Sequence, residues 1–302
     1  MLTDKKVLFI INPVSGRIAL KQKLWQVLEM FSKAGLQVTV RFTEKSGDAK
    51  EFAKQCQRDI STVICAGGDG TLNEVISGLM ENNYHHTLGY IPVGTTNDLA
   101  TSLGISKGII NAAKDIIEGN TKTIDIGSFN GRYFCYVASF GAFTEASYNA
   151  TQEAKNVLGH LAYLLEGIMS IGNIRPYRAT FKFDDKQITD DFIFAAVSNT
   201  TSLGGVLKLK ERLVTLNDGK LELLLVRAPK TIPQLQKTIG DLLNQQFTDN
   251  EVCLYHTSKV EIISDGEFDW TLDGELQKGA EKAEILNIPN AIELIVPKKK
   301  TK

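Results

Sequence analysis

Short apolar runs alternate with amphipathic stretches over the first 127 residues, and this alternation constrains the fold most. "KVLFIIN" (6–12) is a continuous apolar run, as suits a strand buried on both faces. Leu24, Val27, Leu28 and Phe31 follow at helical spacing, and Gly35 is placed to end that helix. "QVTVRF" (37–42), "STVICA" (61–66) and "TLGYIPV" (87–93) predict three more strands. Between them, Ser46 is expected to cap a helix carrying Phe52, Ala53 and Cys56, and Leu72, Val75, Ile76 and Leu79 form a second stripe. "IINAAKDIIEG" (109–119) adds a further helix. Such alternation predicts a parallel sheet covered by helices on both faces.

The pattern changes near residue 124. "TIDIGSF" and "RYFCYVASF" flank Asn130-Gly131, a type I′ hairpin signal. Ala154, Val157, Leu158, Leu161, Leu164, Leu165 and Ile168 share one face of a long helix, read as core packing, with a lipid-facing lip as the minor alternative. Strands then dominate: 177–183, 191–198, 220–226, 259–264, 268–275 and 291–297, interrupted by a helix near 232–246. They predict an antiparallel sandwich or barrel. The expected division is 1–127 and 128–302.

Three strand ends carry small, polar, glycine-bearing loops: "NPVSGR" (12–17), "GGDGTLNE" (67–74) and "PVGTTND" (92–98). Ligands of open α/β sheets bind beyond the carboxyl ends of the strands. Glycines let backbone approach a phosphate, and the following helix offers free N–H groups. GxxxxGK[ST] is absent, and Asn73 stands where the last glycine of a dinucleotide fingerprint belongs. A nucleotide cradle that is neither of these is the expectation.

Bulk properties narrow the function classes. The 302 residues are 43% hydrophobic and 23% charged, as in an ordinary globular protein of two domains. The net charge of −1 leaves no footprint for nucleic acid. No apolar run reaches the roughly 18 residues of a membrane span. "KKVLFIINP" has too short an apolar core for a signal peptide. Cys56, Cys65, Cys135 and Cys253 include no CxxC pair, which fits a reduced cytoplasmic setting. His85, His86, His160 and His256 form no zinc-ligand pattern.

"NPVSG", "GGDGTLNEV" and "PVGTTNDLA", in that order, resemble the diacylglycerol kinase catalytic domain, and most closely its soluble bacterial lipid kinases. "DIG" (125–127), "NDGKLEL" (217–223) and "LDGE" (272–275) match the family's later motifs, so the resemblance covers nearly the whole chain. It implies an α/β nucleotide domain, related in plan to NAD kinases, and a mainly antiparallel β-sandwich domain with helical insertions. Lipid would reach a site between them.

By the same resemblance, ATP would meet Asn12, Pro13, Val14, Ser15 and Gly16, then Thr43, and then Gly67, Gly68, Asp69, Gly70, Thr71, Leu72, Asn73 and Glu74. Thr95 and Asn97 complete that set. Asp273 corresponds to the general base, and Asp218 to a ligand of a structural Mg2+, with the carbonyls of Thr215 and Lys220. Relatives often carry a proline upstream of this metal loop, where this chain has Arg212 nearby.

Phosphoryl transfer rests on positioning and charge stabilisation. Asp69, Asp98, Asp125 and Glu275 are candidates to hold Mg2+ between ATP phosphates, so that Asp69 need not touch phosphate directly. Plainer readings stand beside these. Asp125 can cap a turn, Asp98 can cap a helix over Leu99–Leu103, and Asp218-Gly219 and Asp273-Gly274 can each be a strand turn.

The resemblance implies diacylglycerol as acceptor, met at the membrane surface by a cytoplasmic, peripherally associated protein. A homodimer stays open, and "KKKTK" reads as a solvated tail. A sphingoid base or ceramide is the alternative acceptor. An NAD kinase is argued against by "NPVSG" and "GTTND", and a silent nucleotide-binding regulator by the retained acidic residues.

Overall fold

The computed structural model describes residues 5–141, 176–203, 207–279 and 281–298. The expected helix at 154–168, His160 and the last lysines of the tail lie outside the described residues. The chain forms two compact units, one of residues 1–124 with 290–302, the other of 125–289. The division falls three residues before the expected 127/128 boundary, and the segment from Asn290 belongs with the first unit rather than the second.

The first unit is the expected layered α/β structure. Its strands are β1 (Lys5–Ile11), β2 (Leu36–Phe42), β3 (Ile60–Gly67) and β4 (Thr87–Pro92). β1 pairs in parallel with β2 on one side and β3 on the other, and β4 extends the sheet beyond β3. The parallel order β4–β3–β1–β2 reverses direction between β1 and β3, the place where open α/β sheets leave a crevice. The helices are α1 (Arg17–Lys33), α2 (Asp48–Lys54), α3 (Asp69–Met80), α4 (Asp98–Leu103) and α5 (Ile109–Glu118).

The apolar stripes do what their spacing predicts. Val27 and Phe31 of α1 pack with Ala112, Ala113 and Ile116 of α5 on the side chains of Val7, Phe9 and Ile11. α2 packs against α3, whose Leu72, Val75, Ile76 and Leu79 are all buried. Ser46 does not cap α2. Its hydroxyl donates to Glu74, whose carboxylate also accepts the Gly47 and Ala49 N–H groups at 2.9 and 3.2 Å. A residue of α3 thus caps α2, because a carboxylate satisfies two helix-end donors where one hydroxyl satisfies one.

The second unit is mainly antiparallel. It takes in the end of β5 (Asn120–Phe129), then β6 (Arg132–Phe134), β7 (Val137–Gly141), β8 (Tyr177–Phe183) and β9 (Lys186–Ser198). β10 (Ser202–Leu203), β11 (Leu207–Lys208), β12 (Leu221–Arg227), β13 (Val252–Thr257) and β14 (Lys259–Ser264) follow. β15 (Trp270–Leu272), β16 (Glu275–Gln277) and the first part of β17 (Lys282–Val296) complete it, with α6 (Ile232–Asn244) between β12 and β13. β9 pairs with β8 and β7 along one edge and β12 along the other. Phe140, Phe181, Phe192, Trp270 and the alternate leucines Leu221, Leu223 and Leu225 fill the core.

Asn130 and Gly131 sit at φ 48° and 85°, so the expected type I′ hairpin joins β5 and β6. α6 begins at Thr231, whose hydroxyl accepts the Gln234 N–H, with Pro233 in the first turn. No helix among the described residues is long and apolar enough to cross a membrane.

Candidate active site

In the first unit the three glycine loops meet. Asn12, just past β1, donates from its amide to the Thr71 hydroxyl at 2.9 Å, which joins the end of β1 to the first turn of α3. Its Oδ1 accepts the Val14 N–H at 2.9 Å and folds Pro13–Ser15 into a tight turn before Gly16, the N-cap of α1. The Thr43 N–H, just past β2, donates to the Ile11 carbonyl at 3.0 Å. The buried Tyr90 hydroxyl lies 3.2 Å from both the Gly67 carbonyl and Asn97 Oδ1. Asn97 also closes its own loop, donating to the Gly94 carbonyl at 2.8 Å.

Backbone meets backbone where this loop crosses the GGDGT loop. A Cβ on Gly94 would stand 2.6 Å from the Gly68 Cα and 2.9 Å from Asn97 Oδ1, so only glycine fits. Asp69 fastens the crossing. One carboxylate oxygen accepts the Asn97 N–H at 2.8 Å and the other the Asp98 N–H at 3.1 Å. These are the opening N–H groups of α4, so the acidic side chain in the phosphate-type loop faces backbone donors. Asp98 is the first residue of α4 and is buried; the N-cap position belongs to Asn97, at φ 51°.

In the second unit, Asp273 and Gly274 have φ 49° and 85° and make a two-residue turn between β15 and β16. The turn reading is therefore borne out. The Asp273 side chain is 5% exposed. Its carboxylate accepts three consecutive backbone N–H groups, from Cys135 at 2.5 Å and from Tyr136 and Val137 at 3.0 Å each. Consecutive N–H groups converging on one anion form a nest. The expected single strand "RYFCYVASF" breaks into β6 and β7 here because its N–H groups turn to the carboxylate. Three such bonds fix the orientation of the carboxylate. Glu275 faces outward and pairs with Arg132, both about half exposed.

The stretch 215–220 carries the candidate metal loop. Asp218 is exposed and its carboxylate accepts the Lys220 N–H at 3.0 Å. Asp125 is fully buried, and its carboxylate accepts the Gly219 N–H at 2.7 Å and the Asn287 amide at 3.1 Å. Asn199 donates to the carbonyls of Asp125 and Leu216. Asp125 therefore braces the 215–220 loop.

Glu222 lies beside it, fully buried on β12, with neither carboxylate oxygen in a hydrogen bond. Burial pushes its carboxyl up to about 8, and the like charges of Asp218 and Asp125 add to this against the nearby Glu222 and Thr215 N–H groups. Among the described residues, no group of three or more His, Cys, Asp and Glu side chains is arranged to hold a metal. Oxygen donors with an orphaned buried carboxylate suit a hard cation that keeps part of its water, as Mg2+ does.

The diacylglycerol kinase catalytic domain matches residues 6–129, and the YegS C-terminal NAD kinase beta sandwich-like domain matches 137–296. A diacylglycerol kinase of Bacillus subtilis (strain 168) is 35% identical over 298 residues, covering 98% of each chain. The chain belongs to the diacylglycerol kinase family. The diacylglycerol kinase of Staphylococcus carnosus (strain TM300) is 32% identical, covering 97% of this chain and 96% of its own. The crystal structure of a diacylglycerol kinase from Bacillus anthracis str. Sterne superposes with a TM-score of 0.76 at 23% identity, covering 97% of each chain, and supports the fold.

Membership makes the chain a lipid kinase. The structure gathers most of the residues picked out for this kinase into two groups. Asn12 to Gly16, Gly67 to Asn73, Thr95 and Asn97 share the loop cluster of the first unit, with Thr43 at the end of β2. Asp125 and Asp218 share the 215–220 region of the second unit. Glu74 binds α2 rather than facing the loops. Sequence reading missed the nest at Cys135–Val137, which has no side-chain signal. It also passed over Glu222, although a lone acid inside "LELLLV" was a visible one.

Proposed function

We propose that this chain transfers the γ-phosphoryl group of ATP to the hydroxyl of diacylglycerol, giving phosphatidic acid and ADP. The observation that carries the reading is Asp273, whose carboxylate is held by three N–H groups on a hairpin turn. The hydroxyl oxygen forms a bond to the γ-phosphorus as the bond to the bridging oxygen breaks, and the hydroxyl proton passes to Asp273. A base fixed in this way loses no energy to reorientation during transfer. The glycine loops supply the nucleotide site: backbone N–H groups at the start of α3 face the phosphates, and Asp69 keeps the two glycine loops together. Mg2+, when bound, neutralises charge on the phosphates, and Asp218 with the Thr215 and Lys220 carbonyls would hold a structural ion. Glu275 and Arg132, paired at the hairpin edge, keep that edge in place.

Diacylglycerol as acceptor is supported by the names of the full-length relatives. Offering γ-labelled ATP with diacylglycerol, sphingosine, ceramide or NAD in parallel tests it. Labelled phosphatidic acid as the main product is expected. Preferential label on another acceptor overturns the acceptor, and ATP binding with no transfer to any overturns the kinase reading.

A further inference from the structure

The second unit contains oxygens that its own hydrogen bonds leave over. Both Glu222 carboxylate oxygens, Ser198 Oγ, Asn199 Oδ1 and Asn287 Oδ1 are buried atoms with no hydrogen-bond partner. Ser198 sits opposite Glu222 across β9 and β12, and Asn199 follows it. The two asparagines have already turned their amide donors to Asp125 and Leu216, so only their oxygens remain to be satisfied. His256, the neighbour of Glu222 on β13, is occupied through Nε2 with the Leu213 carbonyl at 2.8 Å. Buried oxygens short of hydrogen bonds, around a buried carboxyl group with no basic side chain among its partners, are costly in a closed interior. A small divalent cation that retains water satisfies several such oxygens together, directly and through its hydration shell.

We propose that Glu222 is the buried counter-charge of the cation at the 215–220 loop, acting through the ion's coordinated water together with Asn199 and Asn287. This rests on the reading that Asp218 and the Thr215 and Lys220 carbonyls hold Mg2+. It assigns a metal-binding role to a residue outside the loop. The loop supplies exposed ligands, and Glu222 supplies the compensating charge behind them.

The test is a Mg2+ titration of the full-length, chelator-treated protein by calorimetry without nucleotide, with melting curves at each metal concentration. Wild type, Glu222→Gln, Glu222→Asp and Asp218→Asn are compared. Wild type should bind and gain melting temperature, and Asp218→Asn should do neither. Glu222→Gln should bind at least tenfold more weakly, with Glu222→Asp in between. If Glu222→Gln fails to fold, weakened Mg2+ binding by the charge-conserving Glu222→Asp carries the same expectation. Unchanged Mg2+ affinity in folded Glu222 variants, with Asp218→Asn inactive in binding, overturns the role of Glu222 and leaves the loop reading standing. No Mg2+ binding by wild type overturns both.

Discussion

Replacing Asp69 tests the tie between the two glycine loops. Its carboxylate accepts the Asn97 and Asp98 N–H groups at 2.8 and 3.1 Å, and both donor residues are buried. A hydrogen bond to a charged group contributes about 1.5–3 kcal/mol, and a buried donor left without acceptor costs about 1–3 kcal/mol. Asp69→Ala removes both bonds at the start of α4 and should destabilise by about 3–5 kcal/mol. Asp69→Asn keeps one acceptor but turns an amide against the other N–H, so about 2–3 kcal/mol is expected. Urea unfolding followed by circular dichroism measures both, and calorimetry with ATP in chelator measures binding in the absence of metal. Because the loops themselves loosen, metal-free ATP should bind more weakly to both variants. If Asp69 acted only through magnesium, metal-free binding would be unchanged. An Asp69→Ala protein within 1 kcal/mol of wild type, with unaltered metal-free ATP binding, would refute the tie.

Packing and titration carry three further predictions. Gly94→Ala forces the crossing loops apart and should cost about 1–3 kcal/mol with weaker ATP binding. Gly240→Ala, in α6 with open space around it, should be neutral or stabilising by up to about 1 kcal/mol in the same urea assay. Burial, aided by Asp59, pushes the Cys56 thiol up from 9.0 to about 11. The folded state then holds its proton where the unfolded state has lost it, so this contribution is intact below pH 9 and is lost as pH rises towards 11. At about 1.4 kcal/mol per pH unit the loss is at most about 3 kcal/mol, and Cys56→Ala should flatten the alkaline fall of the melting temperature.

The first unit was legible because strands buried on both faces leave continuous apolar runs, and helices such as that of Leu72, Val75, Ile76 and Leu79 leave stripes. Where the sequence misled, a distant partner outbid a local one. Ser46 has the chemistry of a cap, but Glu74 reaches α2 from a neighbouring helix. "AIELIVP" reads as one more strand of the second domain, yet Glu293 and Leu294 pair in parallel with Thr87 and Leu88 of β4. β13 was overlooked because its burial does not alternate cleanly. Asp273 was found through its motif, whereas its three donors are backbone groups more than a hundred residues away and carry no pattern. Of the acids expected to share magnesium, Asp69 ties two loops and Asp125 braces the 215–220 turn, contacts with backbone N–H groups that no sequence pattern displays.

The account turns on Asp273, and the most direct measurement is transfer of labelled γ-phosphate from ATP to diacylglycerol by Asp273→Asn. Asparagine tolerates the left-handed φ of the turn but sets its amide against at least one of the three N–H donors, a cost of about 2–3 kcal/mol. With melting and circular dichroism confirming the fold, transfer should fall by about 100-fold or more, the usual contribution of a positioned base. Transfer at the wild-type rate by the folded variant would contradict the account.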